Sequence, residues 1–357
     1  MRIGFVVNDL KTEESDFTTT QLAMTAANHG HEIWYINVGD FALRPDDHTW
    51  AHARTLPPER HRSYEVFLQR IRSNAALCQE IDLQDLDVLM LRNDPSQDIL
   101  KRPWARMASI NFGRLAKRLG VLVLNDPDGL SQSLTKLYMQ YFPEEIRPRT
   151  LITRHKDEAR DFIASQGGYA ILKPLSGSGG HNVFLVRPHD TPNINQMLEA
   201  VSSEGYVIVQ EFLADAIHGD TRLFLMNGEP LRVKGKYCAI HRQRRTGDAD
   251  IRSNITAGAV AHRATITDEM LHLASRVKPR LIQDGLFFVG LDIVGNKIME
   301  INTQSPGGTH SAQKLEDAPF AQEIIKAIEQ KLAFKKTSGS SIDNANLATC
   351  SFDKKAQ

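Results

Sequence analysis

The sequence predicts an α/β protein with α+β parts, and two patterns plus its length predict it. Short apolar runs alternate with helix-spaced stretches through the first third of the chain, the pattern of a doubly wound parallel sheet. Beyond Val207 the apolar runs come in hairpin pairs, and Asn227-Gly228 between two of them is a strong short hairpin signal. A chain of 357 residues also calls for more than one domain.

From Met1 to Asp126 the expected elements are a strand at Ile3–Val7, a helix at Phe17–Ala27 stopped by Gly30, and strands at Glu32–Val38, Leu86–Leu91 and Val121–Leu124. This first unit, residues 1–126, reads as a Rossmann-like parallel sheet. No G-x-G-x-x-G follows its first strand, which argues against a dinucleotide site of the usual kind. Polar clusters fall beyond the strand ends, where such sheets bind ligands: Asn8-Asp9, and Arg92-Asn93-Asp94-Pro95. Loop polarity accounts for Asn8. Arg92 and Asp94 read either as loop polarity or as part of a binding site, since arginine suits bidentate carboxylate recognition.

Asn125-Asp126-Pro127-Asp128-Gly129 marks a boundary. Residues 127–205 read as a small α+β unit: a helix at Ser131–Tyr141 carrying Lys136, strands at Pro148–Thr153, Tyr169–Pro174 and Val183–Val186, and helices at Lys156–Gly167 and Asn195–Ser203. Residues 206–334 read as an antiparallel unit with strands at Val207–Glu211, Thr221–Met226 and Leu231–Tyr237. An irregular polar stretch follows at Ile240–Ala261, then a helix at Asp268–Asp284, a hairpin at Leu286–Thr303 and a last helix at Pro319–Ala333. Residues 335–357 are polar and patternless and read as a disordered tail.

Lys+Arg and Asp+Glu balance at 43 each, which gives no reason to expect nucleic acid or a membrane as partner. No run of about 18 apolar residues offers a membrane span. Cys78, Cys238 and Cys350 form no metal-spaced pair and no disulfide framework. With an N-terminus that lacks signal-peptide features, this fits a reducing cytoplasm.

The most informative stretch is Gly290–Pro306, GLDIVGNKIMEINTQSP, where Asp292, Glu300 and Asn302 lie among apolar neighbours. Buried carboxylates need partners, and three oxygen-bearing side chains suit a hard divalent cation that also meets phosphates. A two-residue turn at Gly295-Asn296 would set Asp292 opposite Met299, with Asp292 and Glu300 on opposite faces. A shared metal site therefore calls for Asp292 opposite Glu300, through an odd loop such as Gly295-Asn296-Lys297. Lys173 stands in an apolar strand and calls for an anion, or snorkels out of it. The loop after it, Ser176-Gly177-Ser178-Gly179-Gly180, reads as a phosphate cradle or as a flexible hairpin loop. Gln210–Leu213 reads as an adenine-reading linker or a strand end. Arg222 opens an apolar strand and calls for an acid or a phosphate.

The order lysine, lysine with glycine loop, linker, Gly219-Asp220-Thr221-Arg222, then Asp292…Glu300-Ile301-Asn302 resembles the ATP-grasp superfamily. Within it the chain is similar to the bacterial glutathione synthetase family from Met1 to about Leu332. Ile171–Leu175, Phe288–Ile293 and Glu300–Asn302 with Ser305-Pro306 are the most specific segments. The resemblance implies ATP held between central and C-terminal sheets, with Lys136, Lys173 and the loop Ser178, Gly179, Gly180 at the phosphates. It implies Gln210, Glu211, Phe212 and Leu213 at the adenine, and Asp220 near the ribose. Asp292, Glu300 and Asn302 would hold Mg²⁺, with Mn²⁺ as the alternative. Arg222 and Arg252 would stabilise charge in the reaction. Arg92, Asp94, Asn254, Ser305 and Gly307 would face the substrates.

The implied reaction is an ADP-forming ligation of a small-molecule acid to an amine through an acyl phosphate, γ-glutamylcysteine and glycine in the family. The lid expected at Ile240–Ala259 is longer and more basic than the family's, with His241, Arg242, Arg244, Arg245 and Arg252. Arg242, Arg244 and Arg245 are expected as solvated loop positions. Gln304 and Gly307 replace small hydroxyl residues of the family. Both departures leave open a ligase for a different acid and amine. A nucleotide-binding regulatory protein without turnover is the reading from another class. Family members often form dimers or tetramers, so a homo-oligomer is also an expectation of the resemblance.

Overall fold

In the computed structural model, residues 1–99, 101–177, 181–203, 205–243, 259–338 and 342–352 are described. The N-terminal unit contains β1 (Arg2–Val7), α1 (Thr18–Asn28), β2 (Glu32–Leu43), β3 (Thr49–Thr55), α2 (Tyr64–Arg72), β4 (Leu77–Asp82), β5 (Val88–Leu91), α3 (Ala108–Arg118) and β6 (Leu122–Leu124). Its sheet runs β4-β3-β2-β1-β5-β6. The four strands expected from the sequence are parallel, but β3 and β4 add an antiparallel edge that was not expected. Alternating Thr49–Thr55 buries every second residue, while β4 leaves Leu77 to Glu80 exposed, so the edge carries only a weak apolar signal.

The central unit starts with α4 (Pro127–Gln132), where Asp126 caps the helix by accepting from the Asp128 N–H and Pro127 fills its first turn. The single helix expected over Ser131–Tyr141 is split. The Ser133 hydroxyl donates to the Gly129 carbonyl, α4 ends there, and Lys136 opens a separate 3₁₀ turn, Lys136–Tyr141. Then come β7 (Thr150–Thr153), α5 (Lys156–Ser165), β8 (Ala170–Pro174), β9 (Phe184–Val186), α6 (Ile194–Ser202) and β10 (Val207–Glu211), in an antiparallel sheet of order β7-β10-β8-β9. Because β10 belongs to this sheet, the central unit reaches Glu211, past the expected boundary at 205. It has a core of its own around Ile163, Leu172, Leu198 and Val209.

The C-terminal unit contains β11 (Asp220–Met226), β12 (Glu229–Pro230), β13 (Arg232–Val233), β14 (Lys236–Tyr237), β15 (Ala239–Gln243), β16 (Val260–Arg263), α7 (Asp268–Gln283), β17 (Phe288–Val294), β18 (Lys297–Asn302), α8 (Thr309–Glu316), α9 (Phe320–Ser338) and α10 (Asn344–Thr349). Its sheet runs β16-β15-β11-β17-β18, with β12 paired to β11. The return strand expected over Leu231–Tyr237 is broken into β13 and β14 by Lys234-Gly235, both at positive φ. This sheet shares its apolar packing with the N-terminal one: Phe5, Phe224, Phe287 and Phe320 lie in one continuous core. His31 Nε2 lies 2.7 Å from Glu329, fastening the end of α1 to α9.

The described residues beyond Lys335 do not match the expected disordered tail. Helix α9 continues to Ser338, and α10 buries Leu347 and Ala348. Asn344 accepts from the Val123 N–H at 2.9 Å and donates to the Val123 carbonyl and to Asp126, both at 2.8 Å. A short polar stretch gave too little periodicity to read as a helix, yet one buried amide satisfies the open edge of β6.

Candidate active site

The hairpin β17–β18 answers the register question in an unexpected way. Val294 pairs with Lys297, so the turn is the tight two-residue one, with Gly295 at φ +55. A bulge between Asp292 and Ile293 then makes Met299 the extra residue, and Asp292 faces Glu300 after all. Gly290 faces Asn302 two residues on, so Asp292, Glu300 and Asn302 share a face. The expected three-residue loop is absent, and the bulge does its work.

Asp292 is 4% exposed and heavily engaged. The Arg222 guanidinium donates to both its oxygens at 2.7 Å, and Arg242 Nη2 lies 2.8 Å from Oδ2. Burial pushes this carboxyl up, but the two guanidiniums outweigh it and hold it well below the usual carboxylate range. Arg242 also donates to Asp220 at 2.6 Å, so Asp220 is tied to the arginine pair. Gly219, at φ +99, makes this crossing possible, because a Cβ there would lie 2.1 Å from the Arg242 carbonyl. Arg242 is therefore not a solvated lid position: it is 3% exposed, on β15, between two carboxylates.

Across the cleft the charges are positive and less well satisfied. Lys173, on β8, donates to the Gln210 side-chain oxygen at 3.0 Å. Burial pushes its ammonium down to about 8, with Lys136 in the same sense and Glu300 against it. Lys136 donates to the Gly177 carbonyl. Among the described residues neither lysine has an acid within ion-pair distance. The cleft is lined by both lysines, Thr150, Gly177 and Gln210 on the central side, by Glu300, Asn302 and Ser305 on the hairpin side, and by Asp94 and Arg106 from the N-terminal unit. Arg106 was not singled out in the sequence, where it sits among Pro103, Trp104, Ala105 and Met107 in no recognisable motif.

The other expected residues divide. Asn302 donates its amide to the Gly290 carbonyl at 3.4 Å, leaving its oxygen as the free end. Glu300 makes no ion pair with a guanidinium among the described residues. Two carboxylates and an amide oxygen on one face are the donor types a hard divalent cation takes. Glu300 and Asn302 line the cleft, while both Asp292 oxygens are already bound by guanidiniums. The Glu211 carboxylate accepts from the Arg149 N–H, the Phe212 ring stacks on Tyr169 with centroids 6.1 Å apart, and Leu213 leads into a 3₁₀ turn, so the linker is tethered on both sides. Asp94 caps the turn Pro95–Asp98 by accepting from the Ser96 N–H, which is a structural task beside any substrate contact. Asn8, read as loop polarity, is buried and donates to the Asp94 carbonyl and to Asp98.

Arg92 is buried, and that burial pulls its guanidinium down to about 10 against the opposing Glu13. It donates to the Pro306 carbonyl at 3.0 Å, and Arg222 donates to the Gly307 carbonyl at 3.1 Å. Two arginines from different units thus grip consecutive carbonyls of the loop after the hairpin, and Arg92 acts through that loop rather than from the cleft wall. Gln304 donates to the Leu130 carbonyl at 2.9 Å, while a Cβ on Gly307 would meet no atom within 4 Å. Ser178, Gly179, Gly180, Arg244, Arg245, Arg252 and Asn254 lie outside the described residues.

The chain matches two family models. The prokaryotic glutathione synthetase N-terminal domain matches residues 1–131, and the prokaryotic glutathione synthetase ATP-grasp domain matches residues 135–317. Among curated proteins, the glutathione synthetase of Gloeobacter violaceus is 32% identical over 330 residues, covering 91% of this chain and 95% of that one. The glutathione synthetase of Yersinia pestis is 31% identical over 351 residues, covering 94% and 99%. Among solved structures, the D-cycloserine synthetase DcsG superposes with a TM-score of 0.63 at 14% identity, covering 92% of this chain and 99% of that one. The ATP-grasp ligase PsnB, complexed with minimal precursor, Mg and ADP, gives a TM-score of 0.57 at 15% identity, covering 92% and 98%. At those identities the two structures speak for the fold alone.

Proposed function

We propose a specific chemistry for this cleft on the premise that the chain belongs to the prokaryotic glutathione synthetase family. It is an ATP-dependent, ADP-forming ligase that makes an amide bond between a small-molecule acid and an amine, most like glutathione synthetase. Our reading assigns γ-glutamylcysteine as the acid, glycine as the amine and Mg²⁺ as the metal.

Lys136 and Lys173 meet the nucleotide phosphates, the linker Gln210–Leu213 lies along the adenine, and Asp220 lies near the ribose. Asp292, Glu300 and Asn302 would hold the metal, which would supply charge neutralisation at the phosphates. A carboxylate oxygen of the acid displaces ADP from the γ-phosphorus. The amine then attacks the acyl carbon, phosphate leaves, and the amine loses a proton. Arg222 keeps Asp292 ionised and fixed, and through Gly307 it fixes the loop that borders the acceptor. Arg92 fixes the same loop through Pro306. Protein groups set in advance around the transferring phosphoryl group are the main source of rate in such reactions.

The observation that carries this reading is the bulge. It turns three oxygen donors to one face, in a cleft shared with two lysines whose described hydrogen-bond partners are neutral. The full chain with Mg²⁺-ATP, γ-glutamylcysteine and glycine should release ADP, and omission of either substrate should abolish the release. ADP release without the amine, or none with both, would count against the assignment. The open space at Gly307 favours a second reading, an amine larger than glycine, tested in the same assay by replacing glycine with alanine or serine.

A further inference from the structure

Three other guanidiniums near this cleft are held by the protein: two by carboxylates, the third by the loop that follows the hairpin. Arg222 is bound by Asp292 and the Gly307 carbonyl, Arg242 by Asp220 and Asp292, and Arg92 by the Pro306 carbonyl. Arg106 is different. It lies in the 3₁₀ turn Pro103–Met107, on the wall that the N-terminal unit gives to the cleft, and is half-buried. Its one described polar contact is a long one, Nη2 to the Ser176 hydroxyl at 3.5 Å. No carboxylate among the described residues pairs with it. A guanidinium offers five N–H donors in a planar fork suited to a carboxylate or phosphate. Here that fork is half-buried, lines a cleft and, among the described residues, makes one long hydrogen bond.

We propose that Arg106 is a specificity-determining residue: it binds a second carboxylate of the acid substrate, one that is not phosphorylated, so that the enzyme selects dianionic acids. The inference rests on the ligase reading above and adds a residue and a substrate class to it. Position favours the acid over the nucleotide. Lys136, Lys173 and the Ser176-Gly177 loop belong to the central unit, where the phosphates are assigned. Arg106 reaches the cleft from the N-terminal unit instead, on the wall to which Asp94 and Ser96 also contribute, and touches the phosphate loop only through the long bond to Ser176. The reacting carboxylate gives up its charge to the acyl phosphate and gains little from a permanent cation. A spectator carboxylate keeps its charge throughout, so a fixed fork can hold it in both ground and transition states. Such uniform binding lowers KM and leaves kcat nearly unchanged.

The test compares the full-length wild type with Arg106→Ala and Arg106→Lys in the ADP-release assay. Each is given γ-glutamylcysteine, the same acid with its free α-carboxylate of the γ-glutamyl group converted to a carboxamide, and a panel of mono- and dicarboxylic acids with a fixed set of amines. Loss of a charge-assisted bidentate pair should raise the KM for the dianionic acid by about 10- to 100-fold in Arg106→Ala. The KM for ATP and kcat should stay within about twofold. Wild type should discriminate against the carboxamide by a similar factor, and Arg106→Ala should not. Arg106→Lys should recover part of the affinity, having the charge but not the fork. A thermal melt of each variant separates loss of fold from loss of binding. A rise in the KM for ATP would place the fork on a phosphate and overturn the proposal, as would undiminished discrimination by Arg106→Ala. Wild type that releases ADP with some acid while Arg106→Ala matches it in every respect defeats this inference alone. Wild type that releases ADP with no acid defeats the ligase reading, and this inference with it.

Discussion

On the hairpin side of the cleft, the Asp292 carboxylate sets both oxygens against Arg222 and shares one with Arg242. On the central side, Lys173 has an amide oxygen and Lys136 a backbone carbonyl. The first arrangement is complete in the protein alone. Its charges are desolvated, yet each finds an opposite charge at hydrogen-bond distance, the condition under which buried ions are tolerated. The second is incomplete. Burial depresses the Lys173 ammonium to about 8 despite the pull of Glu300, which marks a cation without an ion-pair partner among the described residues. The difference separates two tasks that a list of charged residues would merge. Arg222, Arg242 and Asp292 hold a shape, whereas Lys136 and Lys173 wait for an anion.

Removal of a charge from each side should break the comparison in opposite directions. Asp292→Ala leaves the half-buried Arg222 without its carboxylate and Arg242 with Asp220 alone, and should cost about 3 kcal/mol of stability, read from urea denaturation, since one partner of a buried ion pair is lost. Its activity would then fall for two reasons at once. Glu300→Gln is the cleaner probe of the metal site, because no guanidinium among the described residues pairs with Glu300: turnover should collapse while the denaturation midpoint holds.

Lys173→Met should lower turnover by about 10²- to 10³-fold, the scale for one electrostatic group at a reacting centre. The folded-state pKa of Lys173 lies below its unfolded value near 10.5, so the folded chain binds fewer protons between about 8 and 10.5 and stability should rise with pH across that window. At pH 7 the charged lysine costs folding free energy, so Lys173→Met should be more stable than wild type by up to roughly 3 kcal/mol, and the rise with pH should vanish. Loss of stability in Lys173→Met would erase the distinction between the two sides. The smallest effect belongs to a neutral clamp outside the cleft: Asn344→Ala should cost about 1–3 kcal/mol, leaving the Val123 groups without partners, with turnover unchanged.

Much of this was legible in the sequence for a definite reason. Buried parallel strands announce themselves as apolar runs, and Ile3–Val7 and Leu86–Leu91 fall on β1 and β5. Carboxylates in apolar surroundings mark Asp292 and Glu300, and the demand that they share a face was correct. How the chain meets that demand was not legible. A bulge at Met299 leaves no compositional mark, because it depends on the sheet around it. Arg242 was misjudged because it stands beside Arg244 and Arg245 in a basic run, and sequence cannot tell which arginine of a run turns inward to Asp220 and Asp292. Arg106 and Asn344 were missed for the same reason: each gains its meaning from residues far away, Ser176 in one case and Val123 in the other.

The most direct test of the two-sided cleft is the titration of Lys173 itself. In the full chain with isotope-labelled lysines, its NMR resonance can be assigned by its absence from Lys173→Met. Without nucleotide it should titrate near 8, and with Mg²⁺-ATP bound it should move back to its ordinary 10.5 or above, because the phosphates supply the missing counter-charge. A Lys173 that titrates near 8 in both states, although ATP is bound, would contradict the account.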